Sequence, residues 1–190
     1  MPFADPPRSA AWRHLDAREG FEVVFLRAGR VEGQTVAVEE GEAWAVRYDI
    51  SVDTAWATRS ARVWGHTSSG LRELSLQADG AGHWRVDRAP AGHLEGCLDV
   101  DLESSSLTNA FPVHRLGLEI GEEAPAPAAY VRALDLSVER LEQRYLRLED
   151  DEHGRHRYHY VSPAFGFECV LVYDESGLVL DYPGIAVRVA

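Results

Sequence analysis

Turn signals recur along this chain about every eight to twelve residues, and that rhythm constrains the fold more than any other feature. From Phe21 onward they fall at Ala28-Gly29-Arg30, Glu40-Gly41, Ser69-Gly70, Asp79-Gly80-Ala81-Gly82, Ala91-Gly92 and Glu175-Ser176-Gly177. Segments this short between turns suit strands and leave little room for helices, so the rhythm predicts an antiparallel all-β fold. Within one interval Trp44, Val46, Tyr48, Ile50 and Val52 alternate with Ala45, Arg47, Asp49 and Ser51. Successive strand side chains face opposite sides, so this is a half-buried strand. Phe167–Tyr173 is nearly all apolar and is expected to run through the interior, with Asp174–Gly177 turning it into a strand at Leu178–Asp181.

Four other segments depart from this rhythm. Cys97–Glu103 reads as a strand with Leu98, Val100 and Leu102 on one face and Asp99, Asp101 and Glu103 on the other. Ser104–Asn109 then reads as a tight connection, and the run to Leu116 as the entry into a second strand. Residues 1–19 read as an N-terminal arm, Pro-rich and then mixed, with Trp12 and Leu15 as anchors. From Leu134 to Leu148 two periodicities compete. Leu134, Val138, Leu141, Tyr145 and Leu148 share a helical face, whereas Leu134, Leu136 and Val138 alternate as in a strand. Glu122–Ala128, polar and proline-bearing, is a surface connector.

At 190 residues the chain is expected to form one domain spanning 1–190. A formal charge of −12 argues against nucleic acid and anionic membrane surfaces, which attract basic patches. No apolar run approaches the length needed to span a membrane, and Met1–Arg8 has no apolar core of a signal peptide, so a cytoplasmic address is expected. Cys97 and Cys169 are the only cysteines. Both lie in apolar strand patterns and read as reduced, buried residues; in an exported chain they would be the pair for a single disulfide.

Several constellations bear on chemistry. Asp99 and Asp101, two apart on a strand, would sit about 6–7 Å apart at the backbone, near the carboxyl spacing of about 6.5–9.5 Å in an inverting glycosidase. His153, His156 and His159 stand beside Asp150, Asp151 and Glu152 with a metal-site look, but Gly154 and the alternation of Tyr158-His159-Tyr160-Val161 favour a polar hairpin over ligation. Ser104–Ser106 with His114 and Asp99 lacks the nucleophile elbow of a hydrolase, and three serines in a row suit a turn or a cap. Trp44, Tyr48, Trp56, Trp64, Trp84, Tyr145, Tyr158, Tyr160 and Tyr182 join apolar faces to polar tips, as residues that hold sugars or amphipathic ligands do, although each also suits a core.

The run Leu98-Asp99-Val100-Asp101 with Leu107-Thr108-Asn109-Ala110-Phe111-Pro112-Val113-His114-Arg115-Leu116 resembles the bacterial putative glycolipid-binding family, once catalogued as a domain of unknown function. Asp53–Arg59 and the closing Gly177–Gly184 fit the same resemblance, which extends from about Trp12 to Val189. It implies a spiral β-roll with few or no helices, similar in shape to bacterial lipoprotein carriers, and strand rather than helix for Leu134–Leu148. It also implies a glycolipid or lipid-like ligand. An acyl chain in the concavity would bury about 0.8 kcal/mol per methylene, and Asp99, Asp101, Asn109 and Arg115 at the rim would bond a sugar headgroup.

These readings converge on a binding protein without metal or cofactor. Its expected ligand-binding residues are Trp44, Tyr48, Trp56, Asp99, Asp101, Asn109, His114, Arg115, Tyr158 and Tyr160. The alternatives are a hydrolase of a saccharide or ester that uses Asp99, Asp101 and His114, and an interaction module whose roll is filled by its own side chains.

Overall fold

The structure, a computed structural model, describes residues 3–16 and 18–190. In chain order the strands are β1 (Ser9–His14), β2 (Glu19–Arg27), β3 (Arg30–Glu39), β4 (Glu42–Val52), β5 (Thr58–Thr67), β6 (Gly70–Ala78), β7 (Trp84–Val86), β8 (Ala89–Pro90), β9 (Asp99–Leu102), β10 (Glu123–Pro125), β11 (Ala128–Val131), β12 (Val138–Leu141), β13 (Arg144–Leu148), β14 (His156–Ser162), β15 (Phe167–Tyr173), β16 (Val179–Tyr182) and β17 (Ala186–Arg188). Fourteen of them form one antiparallel sheet in the order β10-β13-β14-β15-β16-β17-β1-β2-β3-β4-β5-β6-β7-β8. This sheet curls without closing. The other three make a small sheet, β12-β11-β9, in which β9 runs parallel to β11. The fold is all-β, as the turn rhythm predicts.

Local sequence explains the hairpins. Glu39 pairs with Glu42 across a two-residue turn in which Glu40 and Gly41 both have positive φ, 51° and 84°. That geometry matches the right-handed twist of the flanking strands. In β4 the expected alternation is present: Trp44, Val46, Tyr48 and Ile50 are buried while Ala45, Arg47, Asp49 and Ser51 are not. Gly33, opposite Tyr48 on β3, lets the phenol lie across the strand, since a Cβ there would stand 2.2 Å from Tyr48 Cζ. Between Leu134 and Leu148 a turn leads into two strands, β12 and β13, with no helix, as the family resemblance implies.

Four expectations change. Ser9–His14 belongs to no arm; it is β1, paired with β2 on one side and β17 on the other, with Trp12 wholly buried. Met1, Pro2 and Ala17, also part of the expected arm, lie outside the described residues. The segment after Asn109 is not a strand: a short 3-10 turn at Leu107–Asn109 runs into helix α1 (Ala110–Leu116). Pro112 falls in the first turn of that helix and Gly117 ends it with φ 56°, donating its N–H to the Val113 carbonyl at 3.2 Å. Every residue of β9 is buried, including Asp99 and Asp101, so these acids do not stand at an open rim. Phe167–Tyr173 is only partly buried, with Leu171 and Tyr173 inside.

The small sheet and α1 sit against the concave face of the large one. Val100, Leu102, Leu107, Phe111, Ala129 and Val131 pack with Trp12, Val24, Val46, Tyr48, Ile50, Val63 and Leu76 in one core. A second cluster joins Val113 and Ala126 to Tyr145, Tyr158, Tyr160, Leu171, Tyr173 and Val179. Much of the concavity is therefore filled by the chain itself. No helix among the described residues is long and apolar enough to cross a membrane.

Candidate functional site

A cleft of about 330 Å³ lies between β9 and β11 on one side and β14, β15 and β16 on the other. Asp101, Glu103, Tyr130 and Arg132 line one wall, and Tyr160, Ser162, Phe165, Phe167 and Tyr182 the other. His14, Ser105, Ser106 and Asn109 complete its inner surface, with Arg18 beside them. Its size falls near the lower end of the range of about 300–1,000 Å³ for small-molecule sites.

Buried acids brace this surface. Glu22, wholly buried on β2, accepts the Tyr48 hydroxyl at 2.5 Å and the Ser106 N–H at 2.7 Å, and also takes the Ser105 hydroxyl. The turn carrying Ser105 and Ser106 is thereby tied to the sheet. Burial raises the Glu22 carboxyl above its ordinary range, against the pull of these hydrogen bonds. Asp101 accepts the Thr108 hydroxyl at 2.8 Å and the Gln143 amide N–H. Burial pushes its carboxyl up to about 6; the two hydrogen bonds oppose the rise, and the charges of Asp99 and Glu103 add to it. Asn109 is held by the Tyr145 hydroxyl, which donates to its Oδ1 at 2.9 Å, and by the Tyr173 hydroxyl, which donates to its carbonyl at 3.2 Å.

Against this bonded background a few groups stand out. Among the described residues, buried side-chain atoms without a protein partner of good hydrogen-bond geometry are His14 Nδ1 and Nε2, Ser106 Oγ, Ser162 Oγ and Trp44 Nε1; His14 and Ser162 have only looser contacts, with the Ile185 backbone and with Tyr160. All but the last belong to residues that line the cleft. Native proteins rarely leave such groups unsatisfied, because each costs about 1–3 kcal/mol. Burial, aided by the charge of Arg18, lowers the His14 imidazole to about 4, so it is neutral near pH 7.

The expected ligand residues divide among four places. Asp101, Asn109 and Tyr160 meet in the cleft. Trp56, His114 and Tyr158 line a separate groove with Phe3 and Arg147. There the Trp56 indole stacks on His114, centroids 3.7 Å apart, from a backbone with φ 65°, and His114 Nε2 lies 3.0 Å from the Ser176 carbonyl oxygen. Burial lowers that imidazole to about 4. Trp44 and Tyr48 are core residues, Trp44 beneath the guanidinium of Arg18. Asp99 and Arg115 form a buried two-pronged ion pair of 3.0 and 2.5 Å that does not line the cleft. The hydrolase set of Asp99, Asp101 and His114 is thus not assembled. The three histidines also part: His153 sits in a turn near Glu152, His156 contacts Asp150, and His159 reaches Glu168.

Sequence reasoning missed His14, Ser106, Tyr130 and Ser162. For His14 a signal existed, since Ala10, Trp12 and His14 alternate as the buried face of β1.

A curled antiparallel sheet that is largely covered by the chain's own side chains and keeps an aromatic and polar cleft makes the molecule an all-β roll in form. Residues 9–188 match the family described as Putative glycolipid-binding, and the chain belongs to that family. It is similar to a DUF1089 family protein from Pseudomonas aeruginosa, known from a crystal structure, at 34% identity and TM-score 0.82 over 100% of this chain and 97% of that one. A beta-barrel-like protein of the domain of unknown function DUF1849 from Brucella abortus shares the fold, with TM-score 0.54 and 11% identity over 98% of this chain and 95% of that one. No curated protein matches.

Proposed function

We propose that this protein binds a glycolipid or related amphipathic molecule, with the cleft between β9 and β11 on one side and β14–β16 on the other as the seat of its polar end. The observation that carries this reading is the gathering of His14, Ser106 and Ser162, whose buried polar atoms lack a protein partner of good hydrogen-bond geometry, in the lining of a cleft walled by tyrosines and phenylalanines. A ligand that supplies hydrogen bonds there recovers what folding leaves unsatisfied. Aromatic rings beside polar groups suit a molecule that is partly apolar and partly hydroxylated. The family description supports the same ligand class. Asp101, Asn109 and Tyr160 belong to this site. The Trp56–His114–Tyr158 groove, with Arg115 next to it in sequence, is left as a flanking surface.

The test is native mass spectrometry of the protein purified from its host without detergent, followed by extraction of any adduct. The expected result is a stoichiometric adduct that extracts as a glycolipid, weakened in a Ser162→Ala variant of unchanged circular dichroism. A clean unliganded mass, persisting after incubation with host lipid extract, refutes the reading.

A further inference from the structure

The unpartnered groups of the cleft share one chemical trait, and it defines the headgroup more narrowly. A serine hydroxyl offers one donor and accepts as well, and a neutral imidazole offers one of each. Ser106, Ser162 and His14 therefore present paired donors and acceptors with no net charge. A sugar hydroxyl has the same dual character and can satisfy both halves at once. Phosphate, sulfate or carboxylate would use only the donors and leave the acceptors facing its oxygens.

The charged groups of the cleft point the same way. Its two guanidinium groups are already engaged: Arg18 donates to the Glu103 carbonyl at 3.0 Å and pairs with Glu39, and Arg132 lies near Glu103 and Glu139 while covering Tyr130 and Phe165. Asp101 and Glu103 add carboxylates to the same lining. An anion brought here would lose its hydration without gaining a free cation.

Resting on the binding reading above, we infer that the cleft selects an uncharged polyhydroxyl headgroup and rejects anionic ones, with Ser106, Ser162 and His14 as the specificity-determining residues. The ligand class is then a neutral glycoside of a lipid rather than a phospholipid, sulfolipid or uronic-acid lipid. Because His14 stays neutral down to about pH 4, the preference holds across the ordinary pH range.

Three probes with one tail separate headgroup from chain: octyl β-glucoside, octyl β-glucuronide and octyl phosphate, each titrated calorimetrically below its micelle concentration. The glucoside is expected to bind about tenfold or more tightly than either anion, the scale of a single well-placed hydrogen bond or more. Ser106→Ala and Ser162→Ala should each reduce the glucoside affinity several-fold and leave that of the anions unchanged. His14→Gln, which keeps a neutral donor and acceptor, should retain the preference. Equal affinity for all three probes overturns the selectivity while amphipath binding stands. Tighter binding of the phosphate or the glucuronide overturns it in favour of an anion site. Failure of all three to bind removes the selectivity and, together with a clean native mass, the binding reading as well.

Discussion

Asp101 gives the sharpest test of how the cleft is built. Its carboxyl is buried, and its pKa stands at about 6 instead of 3.8. A raised carboxylate pKa means that the folded state holds the proton more tightly than the unfolded state does. Between those two values the native protein binds more protons, so stability falls as pH rises through the window and stays lower above it. The displacement is about 2 pH units, and at about 1.4 kcal/mol per unit the cost above pH 6 is about 3 kcal/mol. Asp101→Asn removes the titration while its carbonyl can still accept from Thr108. Urea unfolding followed by tryptophan fluorescence, run on both proteins from about pH 3.5 to 8, isolates the effect, because the other titrating groups are common to both and largely cancel in the difference. Relative to its own offset at the acid end, the variant should gain about 3 kcal/mol by pH 7, most of it between about pH 4 and 6. His14 and His114, lowered to about 4, impose the opposite slope in both proteins and so do not mask it. A difference that stays flat across the range would refute the claim that burial raises this acid.

Other perturbations read other parts of the fold. Gly33→Ala should cost about 3 kcal/mol in thermal unfolding, because its methyl would collide with the buried Tyr48 ring that bonds Glu22. Arg115→Met should cost about 3–5 kcal/mol by leaving Asp99 buried and unpaired, and adding Asp99→Asn should restore most of that loss. Phe165, half-exposed on the short turn after β14, reaches across to Tyr130 with ring centroids 5.5 Å apart. Phe165→Ala should change stability by no more than about 1 kcal/mol while octyl glucoside leaves several-fold faster in stopped-flow displacement. Burial pushes the thiols of Cys97 and Cys169 up to about 11 and about 12, so both should react slowly with a disulfide reagent at pH 8 and rapidly once the protein is unfolded in urea.

The large sheet was legible because its strands are antiparallel and mostly one-sided: in β4 each inward residue announces itself by alternation. The helix after Asn109 was hidden by the opposite problem. Phe111 and Val113 straddle Pro112 in a way that mimics a strand, and only Gly117, placed to end a helix, argued otherwise. Asp99 and Asp101 alternate with Val100 and Leu102, yet both faces of β9 are covered. Polar residues can occupy a covered face there because Arg115, Thr108 and Gln143 meet them. No periodicity contains such partners, which lie up to 42 residues away along the chain. For the same reason the cleft could not be read in advance: β1, β9, β11 and β14–β16 come together only in three dimensions. Asp101 and Tyr160, named from residue chemistry, and Asn109, named through the family resemblance, line the cleft, whereas Ser106 and Ser162 look like ordinary turn and strand-end serines.

The pairing of β1 with β17 sets a condition on how the protein is made. Trp12 stands opposite Arg188 and His14 opposite Ala186, so one internal seam of the large sheet joins the earliest strand to the last. On a ribosome β2–β8 can zip by short hairpins as they emerge, but β17, which completes β1, is synthesised after every other strand. Until then one edge of β1 is an unpaired ladder, open to strands of neighbouring chains. Closure must also bring together residues nearly the full chain apart, a slow step for sheet proteins. The cleft shares this timing: His14 comes from β1 and Tyr182 from β16, so its lining is complete only after β16 has joined the sheet. The cleft is therefore assembled only when the two ends of the large sheet's strand sequence meet.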